Sequence, residues 1–194
     1  MSINCIACGI FQFELEKVLP EICAELGCEV HVDYTEPGLD TNADTLEQAV
    51  TEKINGVVNN KIMLLFGSMC HTEWQRITEK SGARYPKPAN CAEMMLSPEK
   101  KKAIDGTGNV YYLTMGGLKL WKSIYQNGHG WDDVDARQNF CYFDKIILLD
   151  TGIFPVADED LFEFFEYTQV PIEVEKISLD HFKSVVKEIT AALL

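Results

Sequence analysis

The sequence predicts a three-layer α/β fold with a mostly parallel sheet. Three observations carry the prediction. Short apolar runs, such as residues 61–66 and 145–149, alternate with longer amphipathic stretches along the whole chain. Several of those runs stop at glycine turns, as at Phe66-Gly67 and Asp150-Thr151-Gly152. The 194 residues, 46% hydrophobic, suffice for one sizeable core, so a single domain over residues 1–194 is expected. Glycine turns in both halves point further to two lobes with a central crevice. No repeat, low-complexity tract or linker interrupts the pattern.

Taken in order, residues 3–7 read as the first strand. A helix over 11–26 follows, with Leu15, Val18, Leu19, Ile22 and Leu26 on one face at three- and four-residue spacing. Pro20 predicts a kink or break within it, and Gly27 its end. Residues 28–34 alternate as a second strand with Val30 and Val32 on one face. Thr35-Glu36-Pro37-Gly38 is a turn by composition. Thr41 or Asn42 caps a helix reaching about residue 55, with Leu46, Val50 and Ile54 inward. Asn59-Asn60 leads into a strand over 61–66, and a short helix over 72–80 ends at Gly82.

Residues 84–88 are extended, because proline disfavours helix in the residue before it. A helix opens near Asn90 and carries Met94 and Met95, and Pro98 starts another. A strand over 109–114 leads into a helix from Gly116-Gly117 through Ile124. Asn127-Gly128-His129-Gly130 is a loop, and 132–140 a polar helix. Residues 145–149 are the strongest strand of the second half. A helix over 158–167 turns Leu161, Phe164 and Phe165 inward. Residues 172–177 form the last strand, and Ser178 caps a final helix with Phe182, Val185, Val186, Ile189 and Leu193 as its apolar face.

The formal net charge is −13. It predicts no nucleic-acid partner, since nothing would neutralise a row of phosphates, and no anionic membrane surface. It fits solubility, or a basic protein partner. Met1-Ser2-Ile3-Asn4-Cys5 lacks the basic and apolar regions of a secretory signal, and no apolar run approaches the roughly 18 residues of a membrane span. The expected compartment is the cytoplasm. There, seven cysteines, an odd number, read as reduced thiols, ligands or core residues rather than disulfides.

The chemistry concentrates in three of them. Cys8 follows the first strand, Cys70 the third, and Cys91 the extended segment. With parallel strands all three fall at one edge of the sheet, where sites of open α/β sheets lie. Each stands at or just before a helix start, whose free amides and dipole favour the thiolate, the form that binds soft metals. Three cysteines on separate connections predict a metal centre with one open tetrahedral position, zinc being the expected ion. Gly9 and Gly67 suit tight turns beside it. Gly116 and Gly117 at a helix start can cradle an anion. Asp150, Thr151 and Gly152 can line the same crevice. These seven are the expected cofactor-binding residues. Asp40, His71, Glu73 and Glu93 are candidates for a fourth ligand or a supporting partner. No catalytic residue is assigned.

Each cysteine alone also reads as a small core residue. Cys23 does so on the first helix, while Cys28 and Cys141 fall at the opposite end of the sheet. Cys5 and Cys8 have CxxC spacing, but a position inside the strand argues against a thioredoxin-type pair. His31 reads as exposed, His71 as solvated or cap-bonded, His129 as part of a loop or lid, and His181 as solvated. There is no GxSxG, no HExxH and no full phosphate-loop or dinucleotide pattern.

The chain resembles a known family at these residues. Ala7-Cys8-Gly9 followed by Glu14-Leu15, Phe66-Gly67-Ser68-Met69-Cys70, Asn90-Cys91 before a short apolar helix, Tyr111-Tyr112-Leu113-Thr114, and Leu149-Asp150-Thr151-Gly152 occur in that order. Together, over approximately residues 6–177, they resemble domain-of-unknown-function family 1638. Members occur in methane-producing archaea and anaerobic bacteria, often encoded beside corrinoid-dependent methyltransferase systems. The resemblance implies a role in methyl-group or corrinoid metabolism, with a corrinoid protein or methyltransferase as partner. The chain departs from the family at Pro37-Gly38-Leu39-Asp40, where relatives tend to carry histidine, and at Asn90, where many carry aspartate.

The reading that follows is a cytoplasmic metal-binding protein with zinc held by Cys8, Cys70 and Cys91, able to direct methyl transfer to a thiol. The alternatives are a non-catalytic corrinoid or metal accessory protein docking on a methyltransferase through its acidic surface, and an iron–sulfur protein.

Overall fold

Parallel pairing organises both halves of the chain, but into two sheets rather than one. The computed structural model describes residues 1–57 and 61–194; the expected lead-in at Asn59-Asn60 lies outside them. Strands β1 (Ser2–Cys8), β2 (Glu29–Thr35) and β3 (Ile62–Leu65) form one sheet in the order β2-β1-β3. Strands β4 (Val110–Thr114), β5 (Lys145–Asp150) and β6 (Ile172–Lys176) form the other in the order β4-β5-β6. All four ladders are parallel.

Helices α1 (Gln12–Leu26), α2 (Ala43–Asn55), α3 (Trp74–Ser81), α4 (Cys91–Met95) and α5 (Pro98–Asp105) belong to the first half. Helices α6 (Met115–Trp121), α7 (Asp133–Phe140), α8 (Asp158–Thr168) and α9 (Asp180–Ala191) belong to the second. The two sheets share their middle helical layer. Ile3, Cys5 and Ala7 of β1 and Ile147 and Leu149 of β5 enter one core with Leu15, Val18 and Ile22 of α1 and Phe182 and Val186 of α9. The alternate residues serve two outer cores. Ile6 and Leu64 meet Leu46 and Val50 of α2 and Trp74 of α3. Ile146 and Leu148 meet Leu118 and Trp121 of α6 and Phe164 of α8. Period-two alternation thus sends one strand's side chains into two cores, which is why β3 and the centre of β5 are apolar at successive positions. Among the described residues no helix is long and apolar enough to cross a membrane.

Several local expectations are corrected. Helix α1 is not broken at Pro20 but continues through it. Pro20 and Glu16 are exposed, so the carbonyl that loses its partner faces water. Ser178 does not cap α9, which starts at Asp180 and has no side-chain cap; its hydroxyl bonds the Asp180 carboxylate at 2.8 Å instead. The stretch after α6 winds wider, as a π-helical turn over Lys122–Gly128, where sequence periodicity predicts ordinary helix to Ile124.

The extended 84–89 segment runs beside β3. Leu64 N–H donates to the Arg84 carbonyl at 2.7 Å, and Arg84 N–H to that of Ile62 at 2.9 Å. Ser68 and Met69 continue the pairing with Pro88 and Ala89. This segment carries Asn90 and Cys91 to the carboxyl end of β3.

Candidate functional site

In the first sheet the chain leaves β1 toward β2 on one side and later returns to β3 on the other. The connections therefore diverge at the carboxyl ends of β1 and β3, the place where open α/β sheets bind ligands. Cys8 ends β1. Cys70 follows β3 in a turn closed by its own N–H on the Gly67 carbonyl, 3.0 Å. Cys91 is the first residue of α4. There the Asn90 side chain accepts from Glu93 N–H at 3.0 Å, and the Glu93 carboxylate accepts from Ala89 N–H at 2.8 Å.

Gly67 allows this assembly. A Cβ there would stand 2.3 Å from the Ala89 carbonyl oxygen and 2.6 Å from Asn90 Cα. At Gly9 a Cβ would meet the Thr35 carbonyl oxygen at 2.7 Å, so β1 can turn beside β2 only without a side chain. Gly116 and Gly117 lie elsewhere. Gly116 is buried with its missing Cβ 2.1 Å from the Ile10 carbonyl oxygen, and Gly117 N–H donates to Thr114 Oγ1. Asp150, Thr151 and Gly152 turn out of β5, with Gly152 N–H on Asp150 Oδ1 at 2.8 Å; the buried Thr151 hydroxyl has no hydrogen-bond partner.

Cys8, Cys70 and Cys91 line one cavity of about 330 Å³, together with Gly67 and Asp40. Gly9, Gly116, Gly117, Asp150, Thr151 and Gly152 are not part of its lining. Its opposite wall comes from the second half: Tyr111 of β4, Tyr125 and His129 from the π-helical turn and its end, Trp131, and Phe140 and Phe143 around the end of α7. The wide turn aims these groups inward, with His129 N–H on the Ile124 carbonyl and Trp131 N–H on that of Tyr125. Gly38, at φ 84, brings the chain after β2 against Ile124 and His129. The sequence reading missed this wall. Its one local signal was an aromatic residue, Trp131, beside a glycine-bounded histidine.

Burial governs the thiols. It pushes Cys8 and Cys70 up to about 12 and Cys91 to about 11. Backbone amides at Ile10, Gly67 and Ala92 pull the other way without offsetting it. The expectation that helix-end amides would make these thiols ionise readily is therefore overturned: loss of water outweighs the local dipole. The Asp40 charge raises all three. The same carboxylate raises Tyr111, which burial takes to about 12, and Tyr125, held well above its ordinary value. Those two phenols hydrogen-bond one another.

Of the other fourth-ligand candidates, none but Asp40 reaches the cavity lining. His71 is buried, not solvated. Its Nδ1 accepts from Glu73 N–H and its Nε2 meets the Ala43 carbonyl, both at 3.1 Å, so both ring nitrogens are taken and the proton sits on Nε2. Glu73 turns to Arg76, and Glu93 supports the Asn90 turn. His181 bonds the Glu93 carbonyl. As they stand, the described residues contain no group of three or more His, Cys, Asp or Glu side chains that could hold a metal ion.

A model of the family described as "Protein of unknown function (DUF1638)" matches residues 34–186. The chain belongs to the DUF1638 family. The match takes in Cys70, Cys91 and the aromatic wall. It starts after Cys8, so it is shorter at the N-terminus than the resemblance over residues 6–177. No curated protein matches the chain. Among solved structures, a LacI family transcriptional regulator from Silicibacter pomeroyi is similar at 11% identity and a TM-score of 0.44, covering 98% of this DUF1638 protein and 91% of that chain.

Proposed function

We propose that this DUF1638 protein holds a soft-metal centre on Cys8, Cys70 and Cys91, with one position left open to a ligand in the cavity. One observation carries the reading: the three thiols, delivered by three separate connections, border a single cavity and share the field of Asp40. The donor set suits such a centre. Sulfur donors select zinc or iron–sulfur clusters over hard cations. A bound cation also supplies the counter-charge that burial otherwise denies these thiols. All seven cysteines are free, which fits work in the reducing cytoplasm.

Zinc is the first reading. In the methyl-group role that the family resemblance implies, it would hold a substrate thiol as the more nucleophilic thiolate. Around that step the protein's own residues would exclude water through the aromatic wall and fix the donor cysteines through the Gly67 and Asn90 turns. An iron–sulfur cluster is the second reading. One zinc ion with bonds of about 2.3 Å needs its sulfurs roughly 4 Å apart, and no such group stands ready among the described residues. A cluster with one open iron spreads its thiolates wider, and about 330 Å³ is available.

Anaerobic purification, elemental analysis and an absorption spectrum test the proposal. Stoichiometric zinc in a colourless protein supports the first reading, and iron with a brown spectrum the second. A red spectrum would point to a bound corrinoid and an accessory role. Protein without stoichiometric metal, unchanged in stability when Cys8, Cys70 and Cys91 are replaced by serine, would sink the shared centre.

A further inference from the structure

The cavity has a second chemistry that the thiols do not use. Its ionisable lining comprises Asp40, Glu36, the three thiols and the two phenols, with His129 the one basic group and no lysine or arginine among the residues described. A negatively charged ligand would find no counter-charge here and would lose its hydration without return. Asp40 lies exposed and forms no ion pair among the described residues, yet its charge reaches all three thiols and both phenols. The field across the cavity is therefore negative.

The far wall is aromatic. Tyr125 stacks with both Trp131 and Phe164, centroids 5.6 and 6.2 Å away, Phe140 stands edge-on to Tyr125 at 5.4 Å, and Tyr111 edge-on to Phe140 and Phe143 at 4.9 and 5.2 Å. Aromatic faces carry the negative side of the ring quadrupole and attract a cation within about 6 Å. Polar groups on this wall are few, and one hydrogen bond between the Tyr111 and Tyr125 hydroxyls occupies part of their capacity. A primary ammonium needs acceptors for three N–H groups, which ring carbons do not supply. A fully alkylated cation has none to satisfy.

We infer that the space between the Asp40 rim and the wall of Tyr111, Tyr125, Trp131 and Phe140 binds a small onium cation of the quaternary ammonium or tertiary sulfonium class. The inference shares its cavity with the proposed metal centre and names what would approach the open position, but it does not require the metal. Attraction comes from the acidic rim and the aromatic wall together, so charge and shape are both needed.

The test is calorimetric titration of the chelator-treated protein with tetramethylammonium chloride at constant ionic strength, beside 2,2-dimethylpropan-1-ol, a neutral molecule of nearly the same shape. Tetramethylammonium should bind at one site roughly tenfold more tightly than the alcohol. Trp131→Leu should abolish most of that preference, and Asp40→Asn, an exposed substitution that leaves the fold intact, should weaken the cation about threefold or more without affecting the alcohol. Equal binding of the alcohol, no saturable binding, or binding indifferent to both substitutions would overturn the inference. Elemental analysis of untreated protein judges the metal centre separately, so either idea can fail while the other stands.

Discussion

Glu14 offers a measurement that depends on no ligand. It lies in the first turn of α1, fully buried, and neither carboxylate oxygen has a hydrogen-bond partner. Burial raises it from an ordinary 4.5 to about 7, and the nearby dipole of its own backbone amide offsets only part of this. The folded chain therefore binds this proton more tightly than the unfolded chain, and stability must fall as pH rises. The contribution is fully present below about pH 4.5 and is lost as pH passes through about 7. A gap of about 2.5 pH units, at roughly 1.36 kcal/mol per unit, makes the loss about 3 kcal/mol. Glu14→Gln removes the titration but keeps an amide in the same unpaired place, at a constant cost of about 1–3 kcal/mol. Urea unfolding of metal-free protein between pH 4.5 and 8 should show the wild type losing about 3 kcal/mol relative to the variant, and the two curves converging or crossing near neutrality. Curves that stay parallel across that range would refute the reasoning, because they would mean that Glu14 ionises freely in the folded state.

Three further outcomes are expected. Gly116→Ala drives a Cβ to 2.1 Å from the Ile10 carbonyl oxygen, a backbone atom with no rotamer to yield; thermal unfolding should show a loss of about 1–3 kcal/mol, and a neutral result would mean that α6 can slide. Asn90→Ala removes the α4 cap and should cost about 1 kcal/mol in urea unfolding, together with a measurable drop in metal content if Cys91 is a ligand. Chelator treatment of protein that carries the metal should lower the melting temperature, as expected when a ligand bound to the folded state at about 100 times its dissociation constant contributes about 2.7 kcal/mol; Cys70→Ser should melt low from the start and no longer respond to chelator.

Much of the fold was legible because it is written in local periodicity. Among the described residues, the six strands and nine helices follow from alternation, three- and four-residue spacing, and glycine stops, with ends off by a few residues. Placing Cys8, Cys70 and Cys91 at one edge needed only the assumption of parallel strands. What failed depends on contacts distant in sequence. The division into two three-stranded sheets was not legible, because nothing local distinguishes β1 pairing with β3 from β3 pairing with β4. The thiol pKa direction was misjudged because helix-end amides are local, whereas burial is a property of the whole assembly. The aromatic wall rests on a π-helical turn that no spacing rule announces. Glu14 was in principle readable: it stands four residues before Val18 and three after Phe11, on the apolar face of α1, so periodicity alone placed a carboxylate where only apolar groups are expected.

The strand order explains why the two walls differ in kind. At the carboxyl ends of β1 and β3 the connections part, and the first sheet fills the opening with turn residues Cys8, Gly67, Cys70, Asn90 and Cys91, beside Phe11 and Phe66. Gly9 and Gly67 let these turns pass within carbonyl contact of neighbouring backbone, and the cysteines beside them are short, soft and ionisable. The second sheet contributes helix ends and a widened turn instead, elements that project large rings from farther back. Thiols on one side facing the larger aromatic wall leave a cavity that repels anions and, with its buried thiols neutral, does not repel itself. A cation at the thiols would reverse that state by drawing protons off them, and each thiolate formed would deepen the negative field facing the rings. Metal and onium would therefore favour one another as long as the thiolate charge exceeds that of the metal, and a tetramethylammonium affinity that falls when the metal is added would show that the metal carries net positive charge into the cavity.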